Sequence, residues 1–342
     1  MSNAPGAEPA PRFSVLVPTL GREAGLREAL LALAAQSLPR EAFEIVVAFD
    51  GIAPSPALEA ACRAATARVV RVAPRRGPGA ARNAAAAEAR GEILAFTEDD
   101  CVPDRDWLTN AQRRFDQEPG LDVLDGTTEK PGGRPVRRRA GSEPLYLPTN
   151  LFVRRERFAA VGGYCEDFFD PASGLYFRED SDLGFTLEAA GARVVRDRTV
   201  RVVHPEEHEG FLDPLRWARR FVMDPLLARR HPERFDERIE VVALGPLRFR
   251  RPFVRACMLF VLGLVVMAAG LIARAAPITA TGGIAAVAAL LAIWAKWRFS
   301  PVRLVVAPLV PFVLLAALAS GERRAAALAG RVDAGAEPKL RA

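Results

Sequence analysis

Hydrophobic and polar positions keep two different rhythms along this chain. From Phe13 to about Arg251 short apolar runs alternate with stretches of helical periodicity, and beyond it Ala, Val, Leu and Ile dominate. Phe13–Val17 is a largely apolar run closed by Pro18-Thr19, the pattern of a buried strand entering a turn. Leu26, Leu30, Leu31 and Leu33, between Gly25 and Ser37, recur at helical spacing. Phe43–Phe49 reads as a second strand ending at Asp50-Gly51, Pro56–Ala67 as a helix and Arg68–Val72 as a third strand. Gly79–Ala89 is again helical, and Ile93–Phe96 is a fourth strand running into Glu98-Asp99-Asp100. This alternation predicts an α/β domain with a mostly parallel sheet covered by helices on both faces. Ligands of such sheets bind beyond the carboxyl ends of the strands, where Asp50 and the acidic triplet fall.

The next stretch is less regular. Glu129–Pro144 is rich in Gly, Pro and Arg, and a surface linker and a substrate-contacting lid fit it equally. Leu151–Val153 predicts a strand, Arg154–Val161 a helical turn before Gly162-Gly163, and Asp180–Ala190 a helix stopped by Gly191. Arg193–Val195 and Val200–Val203 predict two further strands, and no internal repeat of fixed period is present.

Three uncharged stretches follow: Ala256–Ala273, Ala275–Ala295 and Leu304–Gly321. Each is close to the ~20 residues that cross ~30 Å of hydrocarbon. Thr279, Thr281, Gly282 and Gly283 weaken the second, and Pro308 and Pro311 interrupt the third. Arg248, Arg250, Arg251 and Arg255 precede the first, Lys296, Arg298 and Arg303 follow the second, and the turn between them holds only Arg274. A hairpin with both basic ends inside obeys the positive-inside rule, whereas a third crossing would carry Arg323, Arg324 and Arg331 outside. Three membrane segments are therefore expected, two of them spanning and the third spanning, re-entrant or interfacial. The expected organisation is a disordered N-terminus over 1–12, a globular domain over 13–240, a membrane region over 241–321 and a polar tail over 322–342.

A net charge of +6 raises the question of nucleic acid, but 47 basic residues nearly balanced by 41 acidic ones and scattered throughout make no basic module. No nucleic acid partner is expected; a basic rim beside apolar segments suits anionic lipid headgroups better. Cys62, Cys101, Cys165 and Cys257 lie far apart with no CxxC pair, so neither a zinc site nor a disulfide framework is indicated. Residues 1–12 lack the apolar core of a secretory peptide, which predicts a globular domain on the cytoplasmic face of the plasma membrane.

Three carboxylates at one strand end repel one another unless a cation offsets them, and Mg²⁺ or Mn²⁺ shared with phosphate oxygens is the usual partner. Glu179-Asp180-Ser181-Asp182 opens a predicted helix, where the macrodipole favours acids, and a carboxylate there could also accept a proton from an attacking hydroxyl. Gly77-Pro-Gly-Ala-Ala-Arg-Asn83 opens another helix, whose amides and Arg82 could meet a pyrophosphate. His204, one of three histidines, follows a strand and could complete a mixed N/O metal site.

Together these segments resemble the family-2 glycosyltransferases of GT-A fold, from about Phe13 to His204. The resemblance rests on Val17-Pro18-Thr19, Val47–Gly51 with Asp50, Gly77 to Asn83 with Arg82, Glu98-Asp99-Asp100, Val161-Gly162-Gly163-Tyr164 and Glu179 to Leu183. It implies a GT-A domain, Rossmann-like, followed by C-terminal transmembrane helices. It also implies a nucleotide-diphosphate-sugar donor held by Pro18, Thr19, Asp50, Arg82 and Asp99. A divalent metal, Mg or Mn, would sit at Asp100 and Glu98 with His204. Asp180, beside Glu179, would be the base of an inverting transfer to a hydroxyl acceptor, lipid-linked or glycan, bordered by Gly162 and Gly163. Two departures stand out: Phe49 replaces the first of two acids common after the second strand, and the DxD motif reads Glu98-Asp99-Asp100. Asp213-Pro-Leu-Arg216-Trp217 keeps the Arg-Trp of processive synthases but lacks their Gln, which argues for single transfers. Two other readings compete: a membrane-tethered sugar-nucleotide-binding protein without catalysis, and a nucleotidyltransferase, which would need neither Glu179-Asp180 nor an apolar tail.

Overall fold

The computed structural model describes residues 10–135, 146–205, 210–244, 247–297 and 299–333. Much of the predicted lid, residues 1–9 of the predicted N-terminal extension and residues 334–342 of the predicted tail lie outside them. Contacts divide the chain into two compact units, with the boundary in sequence between Glu207 and His208.

The first unit alternates as the pattern dictates. It runs β1 (Phe13–Thr19), α1 (Glu23–Ala34), β2 (Phe43–Asp50), α2 (Pro56–Ala64), β3 (Ala67–Val72), α3 (Pro78–Ala87) and β4 (Ile93–Phe96). β5 (Val102–Pro103), α4 (Trp107–Gln117), β6 (Val123–Lys130), β7 (Arg134–Pro135), β8 (Leu151–Arg154) and α5 (Arg155–Ala160) follow. The unit closes with β9 (Phe169–Asp170), β10 (Leu175–Tyr176), α6 (Glu179–Ala189) and β11 (Val194–Val203). The main sheet has the order β3-β2-β1-β4-β8-β6-β11-β5, with β7 beside β6. β3, β2, β1 and β4 are parallel, as βαβ crossovers require, whereas β8 lies antiparallel to both β4 and β6. The mostly parallel, Rossmann-like expectation holds, with this reversal added. β1 and β2 are buried along their whole length, which explains their nearly continuous apolar runs. Leu26, Ala29, Leu30 and Leu33 turn one face of α1 into the core, and Ala80, Ala81 and Ala85 let α3 lie close to the other side of the sheet. The two strands predicted over 193–203 form one, β11, whose register against β6 shifts between Arg196 and Arg201.

The second unit is helical. α7 (Asp213–Arg219), α8 (Asp224–Arg230), α9 (Pro232–Arg238) and the hairpin β12 (Val241–Leu244) and β13 (Leu247–Arg250) precede α10 (Pro252–Ile272) and α11 (Ala276–Ala295). A short α12 (Pro301–Leu304) leads to α13 (Val310–Asp333). Three helical stretches, Pro252–Ile272, Ala276–Ala295 and Pro301–Gly330, are long and apolar enough to cross a membrane, and they associate the chain with one. α10 and α11 form an antiparallel hairpin in which a Cβ on Gly263 would meet Gly282 O at 2.8 Å and Ala286 N at 2.7 Å.

Candidate active site

Strand register brings the predicted polar residues to one edge. Thr19 pairs with Phe49, Asp50 with Val72 and Leu16 with Phe96, so β1, β2 and β4 end side by side. Thr19 Oγ1 donates to Asp99 Oδ2 at 2.6 Å and accepts from Gly21 N at 2.9 Å. Asp50 accepts from Arg76 N at 2.8 Å and Gly77 N at 2.9 Å, tying the end of β2 to the loop that opens α3. A cleft of about 220 Å³ opens over this edge, lined by Pro18, Thr19, Arg22, Asp50, Arg75, Arg82, Glu98, Asp99 and Tyr176. All five residues expected to hold a donor thus line one cleft.

Arg82 is the electrostatic centre. Its side chain on α3 is 1% exposed, Nη2 donates to Glu98 Oε1 at 3.0 Å, and Nη1 lies 3.7 Å from Glu179 Oε1. The guanidinium stacks 5.3 Å from the Tyr164 ring, and its Nε and Nη1 have no hydrogen-bond partner among the described residues. A buried guanidinium is tolerated only when paired, so Glu98 and Glu179 hold it and it holds them. Asn83 fixes the neighbouring loop: Nδ2 donates to Tyr164 O and Oδ1 accepts from Tyr164 N, both at 2.9 Å. Gly162 and Gly163, at φ +80° and +71°, make the turn that delivers Tyr164 to Arg82; neither lines the cleft.

Two acidic groups flank Arg82. On one side Glu98, Asp100 and His204 converge with Cys101, their ligand atoms all within 4.8 Å of one another. β11 supplies His204: Val203 pairs with Val102, so the next residue arrives beside Cys101. His204 Nε2 lies 3.8 Å from both Glu98 Oε2 and Asp100 Oδ1, while Nδ1 is 2.9 Å from Pro205 O. If Nδ1 donates to that carbonyl, Nε2 presents a lone pair toward the carboxylates. Burial raises the pKa of Glu98, Arg82 opposing and Asp100 adding to the shift. On the other side, burial and the charge of Asp180 push Glu179 up to about 7, partly offset by Arg82. Asp180 is also raised by burial, against hydrogen bonds from Ser181 N at 2.6 Å and Ser181 Oγ at 3.3 Å. The residue before this pair, Arg178, is left-handed at φ +76°, a strained conformation of the kind that collects at functional sites. Glu179 borders a recess shared with Arg76, Glu166 and Tyr176.

Three participants were not foreseen. Arg22 bonds Asp99 and reaches Asp100 Oδ2 with Nη1 at 2.6 Å, and only its position three residues after Thr19 hinted at this. Tyr176 arrives on the small β9–β10 hairpin, which no sequence period announced. Cys101 is a buried thiol whose pKa burial and the adjacent Glu98 and Asp100 drive upward, so it stays neutral.

The profile of the family described as Glycosyl transferase family 2 matches residues 14–182, which contain Thr19, Asp50, Arg82, Glu98–Asp100 and Glu179–Asp180, while His204 lies beyond them. Residues 14–182 are a family-2 glycosyltransferase domain. It is 25% identical over 198 residues to Glycosyltransferase AglE of Haloferax volcanii, a match covering 53% of this chain and 64% of that protein's length. Among solved structures, the mannosyltransferase PcManGT of Pyrobaculum calidifontis, in complex with GDP-Man and Mn²⁺, is similar at TM-score 0.57 and 22% identity. That match covers 91% of this chain and 87% of that one. S. aureus TarS 1–349 in complex with UDP-GlcNAc is similar at TM-score 0.51 and 17% identity, covering 94% and 92%. Another TarS structure matches over 67% of this chain but only 44% of its own length. At these identities the structural likeness carries the GT-A fold.

Proposed function

We propose that this protein is a glycosyltransferase that takes a nucleotide-diphosphate sugar into the cleft over Thr19, Asp50 and Asp99 and transfers the sugar, with inversion, to a hydroxyl acceptor. The observation that carries the reading is Arg82 between two acidic groups, Glu98–Asp100–His204 on one side and Glu179–Asp180 on the other. Oxygen and nitrogen donors of this kind fit a divalent cation, Mg²⁺ or Mn²⁺, with Glu98, Asp100 and His204 as its protein ligands. Such an ion, when bound, would neutralise charge on the diphosphate. Asp99 stays with Thr19 and orients it, Asp50 holds the loop before α3 against the donor, and Arg82 keeps Glu98 and Glu179 in place.

Asp180 is proposed as the base. As the acceptor oxygen forms its bond to the anomeric carbon, the hydroxyl proton passes to the Asp180 carboxylate, the bond from that carbon to the phosphate oxygen breaks, and the nucleoside diphosphate departs. Gly162 and Gly163 are proposed to border the acceptor through the loop they shape, rather than by lining the donor cleft. The apolar helices favour a lipid-linked or envelope-glycan acceptor met at the cytoplasmic face of the plasma membrane. The test is paired. Asp100→Ala should abolish Mn²⁺-dependent binding of donor nucleotides in a thermal-shift screen, and full retention would overturn the ligand set. Asp180→Asn should bind donor normally but lose about 10²–10⁴-fold in kcat, and near-normal turnover would remove the base. A wild-type protein that binds donors and transfers nothing would support the non-catalytic reading instead.

A further inference from the structure

The third apolar segment has the length of a membrane span, yet its contacts describe a different path. The face of the second unit at which α10 begins is marked by polar anchors. Arg251 Nη2 donates to Asp224 Oδ2 at 2.7 Å, and Phe253 N donates to Glu240 Oε1 at 3.1 Å. The end of α11 returns to the same level: the rings of Phe253 and Trp297 are 5.9 Å apart, and Lys296 Nζ lies 3.5 Å from the Trp217 ring centroid. α10 and α11 are therefore a hairpin with both ends at one face. The 21 residues of α10 give it a rise of about 31 Å, enough to cross.

From that face the chain goes in again and comes back. The Phe312 ring, near the start of α13, lies 6.3 Å from the Phe260 ring. Phe260 is eight residues beyond Pro252, a depth of about 12 Å along α10. Val310 and Leu314 are buried in the same cluster as Cys257 and Phe260. Nine residues past Phe312, a rise of about 14 Å, Gly321 abuts the segment before α8. A Cβ there would overlap Val222 O and stand 3.0 Å from Pro225. The next residue, Glu322, pairs with Arg229 at 2.9 Å. Val222, Pro225 and Arg229 flank Asp224, the partner of Arg251 at the mouth of α10. Descent and return are thus about equal.

We infer that the segment from Pro301 to Gly321 is re-entrant: it enters the leaflet at the face where α10 begins, turns at Ala307–Val310 and leaves by the same face. The sequence of the turn suits this path. Pro308 and Pro311 remove backbone donors where a continuous span would need them, and non-helical backbone is tolerated at depth only against protein. Ala307 and Val310 supply that cover, being fully buried. The outward side fits one partner, the acyl chains of that leaflet. Val302, Val305, Leu309 and Phe312 are exposed and continue the exposed apolar surface of α10 at Met258, Leu259 and Leu262. Arg323 and Arg324 then lie at the same face as Arg255 and Lys296, as the charge rule asks of short loops.

Single cysteines decide the path in the full-length protein in sealed membranes, with a membrane-impermeant maleimide added to one side and then to both. Arg274→Cys reports the α10–α11 turn, and Ala326→Cys and Ala327→Cys, both at exposed positions, report the chain after the segment. Positions 326 and 327 should label from the side opposite to 274. Labelling of 326, 327 and 274 from one side would mean a third crossing and would overturn the inference. Val305→Cys carrying an environment-sensitive fluorophore should be quenched by lipids spin-labelled within the acyl chain, and quenching by aqueous iodide alone would overturn insertion.

Discussion

Arg82 ties the two acidic groups together, at 3.0 Å from Glu98 Oε1 and 3.7 Å from Glu179 Oε1. Arg82→Met keeps volume but leaves the buried Glu179 and the half-buried Glu98 without their cation, a loss of up to about 3–5 kcal/mol by analogy with broken buried pairs. The sign with pH follows from the direction of the shifts. Both acids have folded pKa values above their unfolded ones, so ionising them costs stability, and the cost grows as pH rises through the folded value, about 7 for Glu179. Chemical denaturation should therefore show the largest loss in Arg82→Met above pH 7 and little near pH 4; a pH-independent loss would refute the pairing argument. The same pair predicts the rate profile. If Asp180 must be ionised, kcat falls on the acid side, and Glu179→Gln removes a neighbouring negative charge and should move that limb to lower pH. An unmoved limb would separate the two carboxylates.

Elements set where these side chains meet. α1 begins so close to the acidic turn that a Cβ on Gly25 would stand 2.8 Å from Asp99 O and 3.3 Å from the Asp100 Cα. Both neighbours are backbone, which cannot rotate away. Gly25→Ala must push α1 outward or displace the turn after β4. Overpacking of this kind costs about 1–3 kcal/mol, and the displaced atoms belong to the turn that carries Asp99 and Asp100. The variant should melt lower and bind Mn²⁺ more weakly, as read by calorimetric titration. Wild-type affinity at a lowered melting temperature would mean that α1 alone absorbs the strain.

The second unit shows why a hydrophobic count is insufficient at the scale of the molecule. α10 and α11 pack on each other through glycine and alanine while Leu262, Val265, Ile284 and Val287 face outward. In water that surface would be a large apolar patch of the kind monomeric soluble proteins avoid; in hydrocarbon it is solvated. The protein should therefore stay with the membrane pellet after alkaline carbonate washing. Its release would mean peripheral attachment, in which α10 and α11 lie against the surface.

The sequence by itself determined the periodic parts. β1–β4 with α1–α3, the acids at strand ends and the uncharged stretches were legible because period and turn residues are local properties. The family pattern was legible for the same reason, since its motifs sit at strand ends in chain order. Tertiary structure decided what depends on partners far apart in sequence. It paired Arg82 with both acidic groups, brought His204 to Glu98 through β11 and β5, turned β8 against its neighbours and set Arg22 on Asp99 and Asp100. It also used the turn at Gly162 and Gly163 to fix Tyr164 beside Arg82. At the other end, hydropathy registers only how apolar a segment is. Whether the chain after Pro301 crosses or returns depends on where Gly321 packs, because a close backbone contact fixes a helix end that composition leaves free.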